Sequence, residues 1–286
     1  MKKIFKIIIL LSLFTLSCGD ENPVVTEDDG IVWENIKGKL AFKREGSIYL
    51  IDGDSTSLKN LGLANLRNLK WNKSGSQITG VFYINDSTYS LEGIDLDGNR
   101  SILNNALGTE YYDWLPDGRL VTISGEGKLI VNGTILLSQT FVTVFGLACS
   151  PDGKKIVVST DNILENYLLE IDINSLDQSI IERNVNLFEP NFLQPNYSLG
   201  SDKVFYVTYK ILTDINGQHD KFHLWSIQKI QLDFGKDPCR SDNINEILYT
   251  KVYEYNGRTI GIYSMNIADS NSVELIRGGY EPVWVY

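Results

Sequence analysis

The sequence predicts an all-β fold, a six-bladed β-propeller closed by its C-terminal strand, on three observations. Short β-branched runs recur with Gly, Asn and Asp between them. A column of bulky residues repeats six times, and the chain ends in an innermost-type strand with no blade of its own.

The runs are KLAFKREGSIYLID, QITGVFYI, GRLVTIS, KKIVVST, KVFYVTY and EILYTKVY, and long helical patterns are scarce. Aligning the turns that separate them puts one column on Trp71, Trp114, Cys149, Phe192, Cys239 and Trp284, at offsets of 43, 35, 43, 47 and 45 residues. Spacings of about 40 to 50 residues with four strands each suit propeller blades. In the turns Pro sets φ, Asp bonds to its own backbone and Gly accepts positive φ, so the chain reverses between a blade's first two strands. The preceding column residue then points between blades, where buried apolar surface is worth about 25 cal/mol per Å². The first blade, beginning at KLAFKR, lacks an innermost strand, and the terminal EPVWVY supplies one. Trp33, a plausible spacing ahead of GKLAF, keeps a seven-part or open ring as an alternative.

The pattern Trp/Cys-Ser-Pro-Asp-Gly-Lys, followed by a strand ending Ile-Asp-x-x-Gly, resembles the repeat of TolB-like β-propellers and their WD-repeat-like relatives. SPDG at 150–153 and LPDG at 115–118 match well, NKSG, QPNYSLGS and RSDN are degenerate, and the likeness covers residues 36–286. It implies a platform for interactions rather than an enzyme. TolB-like propellers also resemble the N-terminal domains of certain serine peptidases, but this sequence has no G-x-S-x-G elbow.

The chain opens with Lys2, Lys3 and Lys6 before an apolar run from Ile7 to Leu16, too short to span a bilayer and patterned as an export signal. Ser17 and Cys18 close it in a stretch that resembles the lipobox of bacterial lipoproteins, with Thr15 where that family usually has Leu. The resemblance implies lipidation of Cys18 and an outer-membrane lipoprotein, periplasm-facing or surface-exposed. Residues 1–17 then read as signal peptide, 18–35 as an acidic tether and 36–286 as the propeller. Loss of 1–17, which hold three lysines and no acids, moves the formal charge from −10 to −13. Such a surface argues against nucleic acid, and the lipid anchor is the one expected contact with a bilayer.

Chemistry-bearing candidates are few. Cys149 and Cys239, sharing a column with Trp and Phe, read as buried packing thiols in separate blades rather than as nucleophiles or a disulfide. His219 and His223, spaced i, i+4, would share a face on a helix, but the local pattern is a loop leading into a strand, which makes them weak metal candidates. DLDGNRS at 95–101 and GEGKLI at 125–130 read as hairpin turns, and no motif calls for a cofactor. Binding is expected on the longer loops joining the second and third strands of each blade, with Asp86, Tyr89, Asn162, Tyr167, Asp214, His219, His223, Tyr255 and Arg258 as candidates. Their Tyr and Asn content suits an envelope protein, a peptide or a glycan. The alternative is a hydrolase or lyase on the same loops.

Overall fold

The computed structural model describes residues 30–284 apart from 64, 86–87, 163–164, 185–191, 202, 215–216, 227–230, 242, 244 and 253–258. Six four-stranded antiparallel sheets form a closed propeller. Blade 1 joins β24 (Tyr280–Trp284) to β1 (Lys39–Arg44), β2 (Ser47–Asp52) and β3 (Ser57–Leu63). Blade 2 is β4 (Arg67–Trp71), β5 (Gln77–Asn85), β6 (Thr88–Asp95) and β7 (Arg100–Leu107). Blade 3 is β8 (Tyr112–Trp114), β9 (Leu120–Ile123), β10 (Lys128–Val131) and β11 (Thr134–Thr140). Blade 4 is β12 (Thr143–Cys149), β13 (Lys155–Asp161), β14 (Asn166–Asp172) and β15 (Gln178–Asn184). Blade 5 is β16 (Phe192–Tyr197), β17 (Val204–Asp214), β18 (Gly217–Ser226) and β19 (Gln231–Asp233). Blade 6 is β20 (Gly235–Arg240), β21 (Glu246–Val252), β22 (Thr259–Asn266) and β23 (Ser272–Arg277).

The apolar core is divided among the interfaces between adjacent blades, because successive strand residues point to opposite sheet faces. Leu40 packs with Trp284 and Leu248 between blades 6 and 1, whereas Ala41 packs with Val283, Trp71 and Ile78 between blades 1 and 2. Cys149, Ile156 and Val158 likewise face blade 3, and their neighbours Ala148 and Val157 face blade 5.

Closure follows the expectation. β24 pairs with β1 through Leu40↔Trp284 and Ala41↔Val283, and the Trp71 indole N–H of blade 2 donates to the Val283 carbonyl at 3.0 Å. Trp33 does not start a seventh blade: it sits in a short 3-10 turn, Trp33–Asn35, packed on the interface between blades 6 and 1. Just before it the chain clips onto the outer edge of blade 6, with Ile31 bridging Ile276 and the Val32 N–H donating to the Leu275 carbonyl at 2.8 Å. The propeller therefore takes in residues 30–35, part of the stretch read as tether. Gly30 has φ +65°, and a Cβ there would stand 2.8 Å from that of Arg277.

The repeated turns are as expected. Ser150, fully buried, accepts from the Lys155 N–H at 2.9 Å and donates to Asp152 at 2.7 Å, and Gly153 takes φ +71°. Asp95 accepts from the Asp97 and Asn99 N–H groups, so DLDGNRS is a hairpin turn as read. The column itself needs correction in two blades. Trp71, Cys149 and Trp284 pair with the start of the next strand, at Ile78, Ile156 and Leu40, and the residues in that place in blades 5 and 6 are Tyr197, opposite Val204, and Arg240, opposite Ile247. Phe192 begins β16 instead, and Cys239 is one residue out of register. That single step reverses the facing, so Cys239 packs toward blade 1 rather than blade 5.

Removing residues 280–286 should leave blade 1 without its inner strand and uncover apolar surface on both neighbouring interfaces. We expect loss of the near-UV circular dichroism signal and a rise in dye binding to exposed apolar surface, both read on the purified truncated chain.

Candidate functional site

Four of the six inner strands share a backbone irregularity three residues before the corrected column. Asn68, Gln194, Asp237 and Glu281 have φ of 53°, 48°, 53° and 49°, and each lies at a break in its strand's register. Left-handed backbone is costly for Gln194 and Glu281 and less so for Asn68 and Asp237, and three of the four precede a proline (Pro195, Pro238 and Pro282), which restricts the backbone further. Contacts from neighbouring strands hold each in place. Gln194 and Asp237 clasp each other: Gln194 Nε2 donates to Asp237 Oδ1 at 2.6 Å, and the Asp237 N–H donates to Gln194 Oε1 at 2.8 Å. The Glu281 N–H donates to Thr250 Oγ1 at 3.0 Å, and Asn68 Nδ2 donates to the Glu110 carbonyl at 3.0 Å.

All four line a cavity of about 410 Å³ to which the inner strands of all six blades contribute, so it lies on the propeller axis. Tyr111 and Gly146 fill the equivalent places in blades 3 and 4. A Cβ on Gly146 would stand 2.3 Å from Pro195 Cδ, so glycine lets blades 4 and 5 approach there. The lining extends to Asn72, Lys73, Leu115, Pro116, Pro151 and Leu199 in the turns between first and second strands. The cavity thus opens on the face that carries SPDG, opposite the connections between second and third strands, which the strand bounds show to be mostly shorter than the SPDG-type turns rather than longer as expected.

Its wall has two charged layers. Near the turns Lys70 approaches Asp113 at 3.8 Å, and Arg240 reaches across to the Cys149 carbonyl at 3.4 Å. Asp113 is nearly fully buried and accepts from two backbone N–H groups, Trp114 at 2.9 Å and Cys149 at 2.8 Å, thereby joining blades 3 and 4. Deeper, Glu281 pairs with the buried Lys43 at 2.8 Å. Burial, followed by the like charge of Asp237, pushes the Glu281 carboxyl above its ordinary value, and Lys43 opposes the shift. Tyr111, raised chiefly by burial, stays a neutral phenol.

The described ones among the residues expected from the sequence do not line this cavity. Asn162 is bonded within its own loop to Glu165, and Tyr89 packs edge-on against Tyr83 in blade 2. Tyr167 leans on the interface between blades 3 and 4. Asp214 and His219 lie in the long β17–β18 hairpin, where Asp214 pairs with Gly217 and His219 with Leu212. His223 is on the same strand as His219, where four residues span about 13 Å at a rise of ~3.3 Å each, too far for one metal ion. Its ring packs against Phe234, centroids 5.0 Å apart. Asp86, Tyr255, Arg258 and Cys18 lie outside the described residues. The two central thiols are free and buried, Cys149 facing blade 3 and Cys239 facing blade 1, and burial raises the pKa of both.

Fold and cavity together define the class, a six-bladed β-propeller with an axial cavity, similar in fold to TolB. Solved structures similar to it include TolB from Acinetobacter baumannii, at TM-score 0.64 and 15% identity over 86% of this chain and 66% of that one. A putative TolB from Agrobacterium tumefaciens matches at TM-score 0.56 and 12% identity, over 86% and 91% of the two chains. A chain of a nidogen/laminin complex matches at 0.59 and 15%, over 86% and 97%. The protein spans just under two thirds of the Acinetobacter chain's length. At such identities the likeness concerns the fold. No protein-family model matches the sequence, and no curated protein sequence matches it.

Asp113→Ala should strand the buried Cys149 N–H and lower stability by about 1–3 kcal/mol, seen as a lower urea midpoint at unchanged slope. Cys149 and Cys239 should react with a thiol-specific chromogenic disulfide far more slowly in the native protein than in denaturant, since each must be uncovered and ionised first.

Proposed function

We propose that this protein is a non-catalytic binding module of the bacterial cell envelope whose ligand site is the axial cavity on the SPDG face. The observation that carries the reading is the ring of strained residues around that cavity. Left-handed, pre-proline positions persist only where surrounding structure holds them, and they gather at ligand sites. Bulges re-aim side chains that a regular inner strand would send into the blade interfaces. The cavity adds a mixed lining, with Tyr111, Trp114 and Phe145 beside Asn68, Gln194 and Asn196. Such walls combine apolar contact with directional hydrogen bonds, as segments of protein, peptide or glycan require.

The export-signal pattern of residues 1–17 and the lipobox-like setting of Cys18 support placement in the envelope as an outer-membrane lipoprotein, with residues 18–29 as the tether to blade 6. Rigid blades and an entrance formed by short turns favour capture of a preformed partner segment.

A photo-crosslinking residue placed at Lys73, on the cavity rim, or at Asn162, on the opposite face, separates the two faces in intact cells. Capture of one partner from position 73 with none from 162 is the expected result. The reverse pattern moves binding to the opposite face and removes the cavity from the account.

A further inference from the structure

On the side of the cavity formed by blades 5, 6 and 1, two buried side-chain acceptors, Asn196 Oδ1 and Asp237 Oδ2, have no hydrogen-bond donor. Asn196, in blade 5, is only 7% exposed. Its Nδ2 donates to the Pro238 carbonyl at 2.8 Å, which orients the amide and leaves Oδ1 buried with no donor. Asp237, in blade 6, has Oδ1 engaged by Gln194, while Oδ2 is buried with no hydrogen-bond donor. Glu281, in blade 1, brings a second carboxylate close enough to Asp237 for their charges to repel, opposed by the paired Lys43 and less strongly by Lys236. All three side chains line the same cavity. Buried acceptors in a folded protein are normally satisfied, and a site that leaves two of them without a donor beside a pair of carboxylates is built for a donor from outside.

The chemistry of that donor is restricted. An ammonium group offers three N–H donors and no acceptor, with one positive charge in a small volume. A carboxylate or phosphate would meet like charge and more acceptors. Among the described residues no group of three or more His, Cys, Asp or Glu side chains stands together as a metal site, which sets this place apart from a divalent-ion cage. Tyr111, across the ring, adds an aromatic edge to the wall.

We infer that Asp237, Asn196 and Glu281 form a pocket for a primary ammonium group within the axial channel. The inference rests on the channel being the ligand site and names the chemistry of the ligand's leading end. The ammonium can come from the free N-terminus of a chain or from a lysine side chain.

Isothermal titration of the intact protein with n-pentylamine and with 1-pentanol tests the charge requirement. Triglycine amide, its N-acetyl form and Nα-acetyl-lysine amide then distinguish the two sources. Saturable binding of pentylamine without binding of pentanol is expected, weakened at least about tenfold by Asp237→Asn at an unchanged unfolding midpoint. Asn196→Leu gives an independent variant should Asp237→Asn misfold, and it should weaken pentylamine in the same sense. Triglycine amide binding while its acetylated form does not assigns a chain N-terminus, and the lysine derivative binding alone assigns a side chain. Equal binding of pentanol, no binding of any amine, or unchanged pentylamine binding in both variants overturns the ammonium pocket. The crosslinking pattern at Lys73 reports independently on the channel itself, so the two readings can fail separately.

Discussion

Everything in this molecule depends on the pairing of its last strand with its first. Each blade buries its sheet faces only against its two neighbours, so an unclosed ring would present two apolar faces to water, one lined by Leu40 and Phe42 and the other by Leu248 and Leu275. β24 prevents this by joining β1, with Trp284 facing blade 6 and Val283 facing blade 2. The same Val283 then offers its carbonyl to Trp71, so the seam and the next interface are tied by neighbouring atoms. Docking of residues 30–32 on the outer edge of β23 adds a second tie across the junction.

Closure also creates the axis, and the axis places the charged residues. Regular inner strands would present mainly backbone to the channel. The bulges at Asn68, Gln194, Asp237 and Glu281 change that, at about 1–3 kcal/mol for each residue forced into left-handed backbone. Neighbouring strands hold each of these residues in place, through Thr250 for Glu281 and through the mutual clasp of Gln194 and Asp237. Elsewhere polar groups serve packing. Thr79 donates to the Lys70 carbonyl and accepts from the Trp114 indole, a satisfied hydroxyl between blades 2 and 3.

Much of the fold was legible in the chain because its signals are local. A Pro-Asp-Gly turn, a β-branched run and an Asp that bonds to its own following backbone are each set by a few adjacent residues. The unmatched EPVWVY announced the closing strand in the same way. Register in degenerate repeats was not legible: without a Ser-Pro-Asp-Gly marker, bulges at 193–196 and 236–239 displaced the count, by five residues at Phe192 against Tyr197 and by one at Cys239 against Arg240. The i, i+4 histidines misled for a related reason, since their spacing has meaning only once the backbone is known to be helix or strand.

The candidate site shows the same division. Composition and apparent loop length pointed to the opposite face, and one sequence trace of the channel was present but inconspicuous: Gln, Asp and Glu standing directly before Pro195, Pro238 and Pro282. By itself the chain determined its strands, its turns and its closing strand, because those follow from periodicity and short-range backbone chemistry, whereas the packing of Trp33 was needed to exclude a seventh blade. Only the tertiary structure decided which face holds a cavity and which acceptors are left without donors there. Asn196, Asp237 and Glu281 lie more than forty residues apart in succession, and it is the curvature of the closed ring that makes them neighbours.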